Sequence, residues 1–326
     1  MAMLEVQDLH VAFPRGKAGE VEALRGVNLT LERGERLGVV GESGAGKSML
    51  AFAILNLIAE PGRVSQGRIM FHGENLLDLS ERDIRGIRGN RISMIFQDPM
   101  VTLNPVLTIG TQMMETLKAH RKISETEARR LCIAKLKEVA IPSAESRLDA
   151  YPHELSGGLR QRVVIAIALL TDPELIIADE PTTALDVTIQ AEIMALILKL
   201  CRENDVALIL ITHDLGVVAE VTQRIMIMYA GLCVEAGPTR EIIDNPAHPY
   251  TAGLLRALPQ FAGRGTKLYQ IPGAMPPITA LPPGCAYHPR CERATEICKQ
   301  KIPPFEGGAA CYHPLTAHAT ETEATS

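Results

Sequence analysis

Short apolar runs without polar alternation recur along the chain. They are Arg36–Val40, Arg91–Phe96, Glu174–Ala178, Val206–Ile211 and Arg224–Met228. Runs of this length predict strands buried on both faces. Between them, Ser48–Ile58, Ile109–His120, Ser124–Val139, Leu159–Leu170 and Thr188–Arg202 carry apolar residues at helical spacing. Strand–helix alternation predicts an α/β core with a mostly parallel sheet. From Asp98 to Ala168 the pattern is helical with no clear strand, which predicts a helical insertion at about 98–168. The longest uninterrupted apolar run, Val163–Leu170, is far shorter than the roughly 18 residues of a membrane span. The chain is therefore expected not to cross a bilayer by itself. Met1–Glu5 has neither a basic nor an apolar leader segment, so no secretory signal is expected.

Composition adds one asymmetry. A length of 326 residues predicts about two domains. Of the 21 prolines, 12 lie between Pro246 and Pro314, together with four of the seven cysteines. This divides the chain into an α/β unit at 1–245 and a loop-rich extension at 246–326 with a frayed Thr/Ala/Glu end. The net charge of −5 argues against non-specific nucleic-acid binding.

Gly41-Glu42-Ser43-Gly44-Ala45-Gly46-Lys47-Ser48 matches G-x-x-x-x-G-K-[ST], after a predicted strand and before a predicted helix. Gly41, Gly44 and Gly46 let the backbone curl, with Ser43 between them, so that N–H groups point at phosphate oxygens. Lys47 supplies a full positive charge, and the Ser48 hydroxyl is a hard ligand for Mg²⁺. The run Leu175–Ala178 ends in two acids. Asp179 is placed to reach Mg²⁺, and Glu180 to deprotonate a water attacking the γ-phosphate. Upstream, Leu155-Ser156-Gly157-Gly158-Leu159-Arg160-Gln161-Arg162 opens a helix with Ser156, Gly157 and Gly158. It forms a second anion-binding N-terminus. One chain with one phosphate loop needs no second site for its own nucleotide, so the economical reading is that this one serves a partner's.

These residues resemble the signature motif of ABC-transporter ATPases. The resemblance covers about residues 3–245. It implies a P-loop NTPase with a RecA-like core, antiparallel β and helical subdomains, and ATP and Mg²⁺ as ligands. It also implies head-to-tail pairing, with Ser156, Gly157 and Gly158 capping ATP in trans. Phe13 resembles the adenine-stacking aromatic, an ordinary core Phe being the alternative. Gln97 resembles the glutamine that contacts Mg²⁺ and the attacking water. Ala184-Leu185-Asp186 resembles the loop that crosses the dimer seam. His213 resembles the switch histidine that holds the γ-phosphate. On this resemblance Glu180, His213 and Gln97 form the catalytic set, and Mg²⁺ falls to Ser48, Gln97 and Asp179.

Three function classes compete: a transporter motor, a soluble ABC ATPase acting on DNA or ribosomes, and a non-hydrolysing interaction protein. Glu180 and His213 disfavour the last. The single phosphate loop, the missing coiled coil and the net charge disfavour the second. Phe96–Met100, Leu103-Asn104-Pro105, Ala150–Glu154 and His248–Pro259 are similar to segments of the dipeptide/oligopeptide/nickel importer family. That resemblance points to the first ATPase subunit of a dipeptide importer. It implies two integral-membrane permease subunits, a paralogous second ATPase, a periplasmic peptide-binding protein and a peripheral location on the cytoplasmic face of the inner membrane. Nickel or another small solute remains the alternative cargo.

Cys285, Cys291, Cys298 and Cys311 are spaced C-x₅-C-x₆-C-x₁₂-C. Disulfides need an oxidising compartment, which does not suit a cytosolic motor. Zinc favours close C-x₂₋₄-C pairs, which are lacking here. An iron–sulfur cluster accepts irregular spacing, and the family resemblance implies a [4Fe–4S] cluster, with Zn²⁺ as the alternative. Cys132, Cys201 and Cys233 sit in apolar patterns and are expected in the core.

Overall fold

A computed structural model describes residues 2–16, 19–183, 185–258 and 269–315. Ala184, Pro259 and the terminal Thr/Ala/Glu stretch lie outside the described residues. The chain opens with β1 (Leu4–Pro14), β2 (Glu20–Leu31), β3 (Arg36–Val40), α1 (Lys47–Ile54), β4 (Arg63–Phe71) and β5 (Glu74–Asn75). It continues with α2 (Glu81–Ile87), β6 (Ile92–Ile95), α3 (Pro99–Thr102), α4 (Ile109–His120), α5 (Glu125–Glu138), α6 (Ala144–Arg147) and α7 (Gly157–Leu169). Next come β7 (Leu175–Asp179), α8 (Val187–Glu203), β8 (Ala207–Thr212), α9 (Leu215–Val221), β9 (Arg224–Tyr229) and β10 (Leu232–Pro238). Helices α10 (Thr239–Asp244), α11 (Pro249–Arg256) and α12 (Glu296–Gln300) lie in the last part.

Two sheets result. The larger runs β10-β9-β3-β8-β7-β6 and is parallel except for β10. Its strands β7 and β8 are buried at every position, which is why their sequences show no polar alternation. The smaller sheet, β2-β1-β4-β5, is antiparallel. One apolar layer lies between the two sheets around α1. The other lies on the far side of the parallel sheet, among the helices.

Between Pro99 and Leu169 the regular structure is helical only. Thr108 caps α4 by accepting from the Thr111 N–H, and Ser124 caps α5 by accepting from the Glu127 N–H. Ile109, Met113 and Leu117 repeat every fourth residue, as do Ala128, Cys132 and Leu136, and these stripes are buried. Cys132 and Cys201 are buried, whereas Cys233 is half-buried on β10.

Among the described residues, the extension builds no separate core. Tyr250, Leu255, Ala286 and Tyr287 join the apolar layer on the helical side of the parallel sheet. Residues 308–310 run along the edge of β10, with the Ala236 N–H donating to Gly308 O and the Ala310 N–H to Val234 O. Covering an open edge in this way removes unpaired backbone groups from solvent. Buried Glu235 on β10 accepts from the Ala247 and His248 N–H groups at 2.6 and 3.0 Å, pinning the start of the extension.

Candidate functional site

The parallel register brings the carboxyl ends of four strands to one edge. Val40 stands opposite Thr212, Asp179 opposite Ile211, and Ile95 opposite Ala178. The phosphate loop, Gln97, Asp179-Glu180 and His213 all follow these ends. Ligands of open parallel sheets bind at this edge.

The loop has little room for side chains. A Cβ on Gly41 would stand 2.4 Å from Met228 O. Gly44 and Gly46 have φ of 82° and 104°, which L side chains rarely adopt. We expect Gly41→Ala to destabilise the chain by about 1–3 kcal/mol, read as a lower denaturant midpoint. An unchanged midpoint would show that β9 yields there without cost.

Lys47 is buried and its Nζ donates to Gly41 O and Glu42 O, at 2.8 and 3.1 Å. Burial pulls its ammonium pKa down, while Glu180, Asp179 and Glu42 pull it back up. Asp179 is buried at the end of β7. Burial pushes its pKa up, against a hydrogen bond from Ser48. Its Oδ1 is buried without a hydrogen-bond partner. An orphaned carboxylate oxygen beside a hydroxyl is the donor set of a hard divalent cation.

Glu180 sits in the left-handed region at φ 46°, a strain of order 1–3 kcal/mol. Its N–H donates to Ile211 O. Three side chains converge on its carboxylate. Gln97 Nε2 and Thr183 Oγ1 donate to Oε2 at 3.2 and 3.0 Å, and His213 Nδ1 lies 3.3 Å from Oε1. Gln97, Glu180 and His213 are thus brought together beside Lys47 and Asp179.

Ser156 caps α7, its Oγ accepting from the Leu159 N–H at 3.4 Å. Gly157 and Gly158 face Leu185 and Ile189, where added Cβ atoms would stand 3.7 and 3.1 Å away. Ser156 and Gly157 at this helix end are exposed. Asp186 precedes α8 with an exposed side chain that makes no cap bond. Phe13 is half-buried, its ring so close to Gly62 that a Cβ there would stand 2.3 Å away. Two residues without an assigned role join the site: Thr183, and Gln161, whose Nε2 donates to Pro181 O at 2.6 Å. Gln161 links the signature helix to the turn after Glu180. Its place within the signature motif was the available signal.

Cys285, Cys291, Cys298 and Cys311 are free thiols lining one cavity of about 20 Å³, with His288 and His313. Burial pushes Cys285 up to about 11, with smaller contributions from the other three thiols. As the thiols stand, no group of three or more His, Cys, Asp or Glu among the described residues is arranged to hold a metal ion. The donors are right in number and chemistry for a tetrathiolate site but are not closed on a common point. A far larger cavity, about 700 Å³ beside β9 and β10, contains none of the candidate residues. The chemistry lies at the open sheet edge instead.

A glycine loop between a buried parallel strand and a helix, an acid pair on a neighbouring strand and a serine-capped helix from a helical insertion together define an ABC-type ATPase cassette. Residues 24–183 match the ABC transporter family model, and residues 234–298 match the oligopeptide/dipeptide transporter C-terminal region. The chain is 48% identical over 318 residues to the oligopeptide transport ATP-binding protein OppD of Salmonella typhimurium, covering 96% of this chain and 94% of that one. It is 48% identical over 302 residues to the dipeptide transport ATP-binding protein DppD of Bacillus subtilis, covering 92% and 90%. The chain therefore belongs to the ABC-transporter ATP-binding family that carries this C-terminal region. A solved dimeric ATP-binding cassette in a post-hydrolysis state, bound to ADP and Pi, has a TM-score of 0.65 and 29% identity. That match covers 73% of this chain and 99% of the cassette. No helix among the described residues is long and apolar enough to cross a membrane.

Proposed function

We propose that this chain is the ATP-hydrolysing subunit of an importer of di- and oligopeptides, working through separate membrane subunits from the cytoplasmic face of the inner membrane. The observation that carries the hydrolytic half is the convergence of Gln97, Thr183 and His213 on Glu180 beside Lys47 and the orphaned oxygen of Asp179. Lys47 exchanges its loop carbonyls for the β- and γ-phosphates. Glu180 accepts the proton of the attacking water, and Gln97 and His213 orient the water and the γ-phosphate. Asp179, Ser48 and Gln97 would hold Mg²⁺, which neutralises phosphate charge. Phe13 is assigned to the adenine. Ser156, Gly157, Gly158 and Asp186 are assigned to the nucleotide held by a paralogous, head-to-tail partner.

Exposed apolar side chains around Gln97 in the sequence and before the signature helix support a membrane partner. Phe96, Met100, Val101, Val106 and Tyr151 are exposed, Val101 to 83%. A cavity of about 290 Å³ lined by Leu57, Phe96, Met94 and Val164 opens close by. Exposed apolar surface of this kind marks an interaction site. The peptide cargo rests on the named relatives and the matched C-terminal region. The test is ATP hydrolysis by the complex in lipid vesicles supplied with its periplasmic binding protein. Peptides are expected to raise hydrolysis and to accumulate inside. Stimulation by nickel and not by peptides would overturn the cargo.

The four-cysteine cavity is assigned to a [4Fe–4S] cluster, with Zn²⁺ as the alternative. Four thiols lining one small cavity support the reading, and a metal tie suits a loop-rich segment. Anaerobically purified protein should carry about four irons per chain and absorb in the visible. Zinc without colour would exclude the cluster.

A further inference from the structure

Glu42, the second residue of the phosphate loop, points away from the loop into the C-terminal extension. Arg290 Nη1 donates to both Glu42 carboxylate oxygens, at 3.0 Å each. The Arg290 side chain is only 6% exposed, against 29% for Glu42. Its Nε donates to Pro272 O at 2.9 Å, and Nη1 lies 3.3 Å from the Tyr229 hydroxyl. Its guanidinium lies 5.8 and 6.0 Å from the ring centres of Tyr229 and Tyr287. The backbone of Glu42 is held as well, since its N–H donates to the Tyr250 hydroxyl at 2.9 Å. Tyr250 is fully buried and packs edge-on against Tyr229. Two further contacts follow the same path. Met275 Cε stands 3.1 Å from where a Gly44 Cβ would lie, and Arg15 Nη1 donates to Thr279 O. One segment of the extension therefore runs along the outer wall of the loop.

A loop that receives a polyphosphate has an electrostatic difficulty if it carries a carboxylate. Two like charges at such short range repel, and salt screens them least where they are partly buried, as Glu42 is. Arg290 removes that charge from the loop side. A forked, always-charged guanidinium suits this task, being held by several acceptors at once. Burial works against its charge, and the hydrogen bonds it donates to Tyr229 and Glu42 outweigh that, leaving its pKa raised.

We infer that Arg290 and Tyr250 are positioning residues of the nucleotide site: the extension neutralises Glu42 and fixes the loop backbone, so that full ATP affinity requires residues far outside the cassette. This rests on reading residues 41–48 as the ATP loop. The test is titration of the full-length chain with MgATP at fixed ionic strength. Arg290→Met should weaken binding by roughly tenfold or more, because it leaves a carboxylate unpaired beside the phosphates. Adding Glu42→Gln to that variant should recover binding to within about threefold of the parent, since the offending charge is gone. Tyr250→Phe, which keeps the packing, should weaken binding by about threefold or more, and it serves if Arg290→Met does not fold. Parent-like affinity in Arg290→Met, or in Tyr250→Phe where that variant stands in, overturns the inference. So does a loss in Arg290→Met that Glu42→Gln does not recover, which would mark Arg290 as packing alone. Lys47→Ala is the control: if it binds ATP like the parent, the loop reading fails, and this inference fails with it for that separate reason.

Discussion

Glu180→Gln is expected to keep ATP binding and to lower turnover by roughly 10²–10⁴. The substitution is nearly isosteric, so the left-handed turn at φ 46° and the bond from its N–H to Ile211 O stay in place. The change is in what the side chain does with protons. The carboxylate accepts from Gln97 and Thr183 on one oxygen and faces His213 on the other. An amide can retain part of that network but cannot take a proton from water. A steady-state assay with a parallel nucleotide titration separates the two effects. Turnover equal to the parent's would remove Glu180 from the role of base. Loss of binding together with turnover would show instead that its carboxylate shapes the loop through Lys47.

For Ser156→Arg the expected result is loss of hydrolysis, on the order of 10²-fold or more, with ATP affinity of the isolated chain almost unchanged. Ser156 is exposed at the start of α7, so an arginine can extend into solvent. Within the chain the cost is one helix cap, about 1 kcal/mol. Against a partner's nucleotide the cost is far larger, because a long side chain blocks the approach that completes the site. Sedimentation with ATP present should show pairing lost in parallel with hydrolysis. A monomer that binds ATP poorly after this change would place Ser156 at its own nucleotide and contradict the arrangement in trans.

The five parallel strands of the larger sheet were readable from sequence to within one or two residues each, because strands buried on both faces leave unbroken apolar runs, whereas its antiparallel edge strand β10 was not. The antiparallel sheet was not readable from pattern. β2 is buried irregularly along its length, and the β1–β2 and β1–β4 registers shift several times. Asp8 and Gly67 lie at these irregularities with positive φ. Bulges interrupt the two-residue period that would have announced the strands. Helix α7 starts at Gly157, not Leu159, because Ser156 is its cap. In the site, residues inside compact motifs were legible: Lys47, Ser48, Asp179 and Glu180. Thr183 carried no charge or spacing to single it out, and Gln161 was marked only by its place in the signature motif. Arg290 was beyond reach because 248 positions separate it from Glu42. Such a pair exists only once the extension has folded back on the sheet.

That separation has a consequence for how the protein is made. Residues 41–48 leave the ribosome early, and their sheet neighbours β8 and β9 follow with the cassette. Arg290 and its aromatic surroundings emerge near the end of synthesis. Until then Glu42 lacks its Arg290 partner. On the inference drawn above, full ATP affinity is reached only after Arg290 has been synthesised.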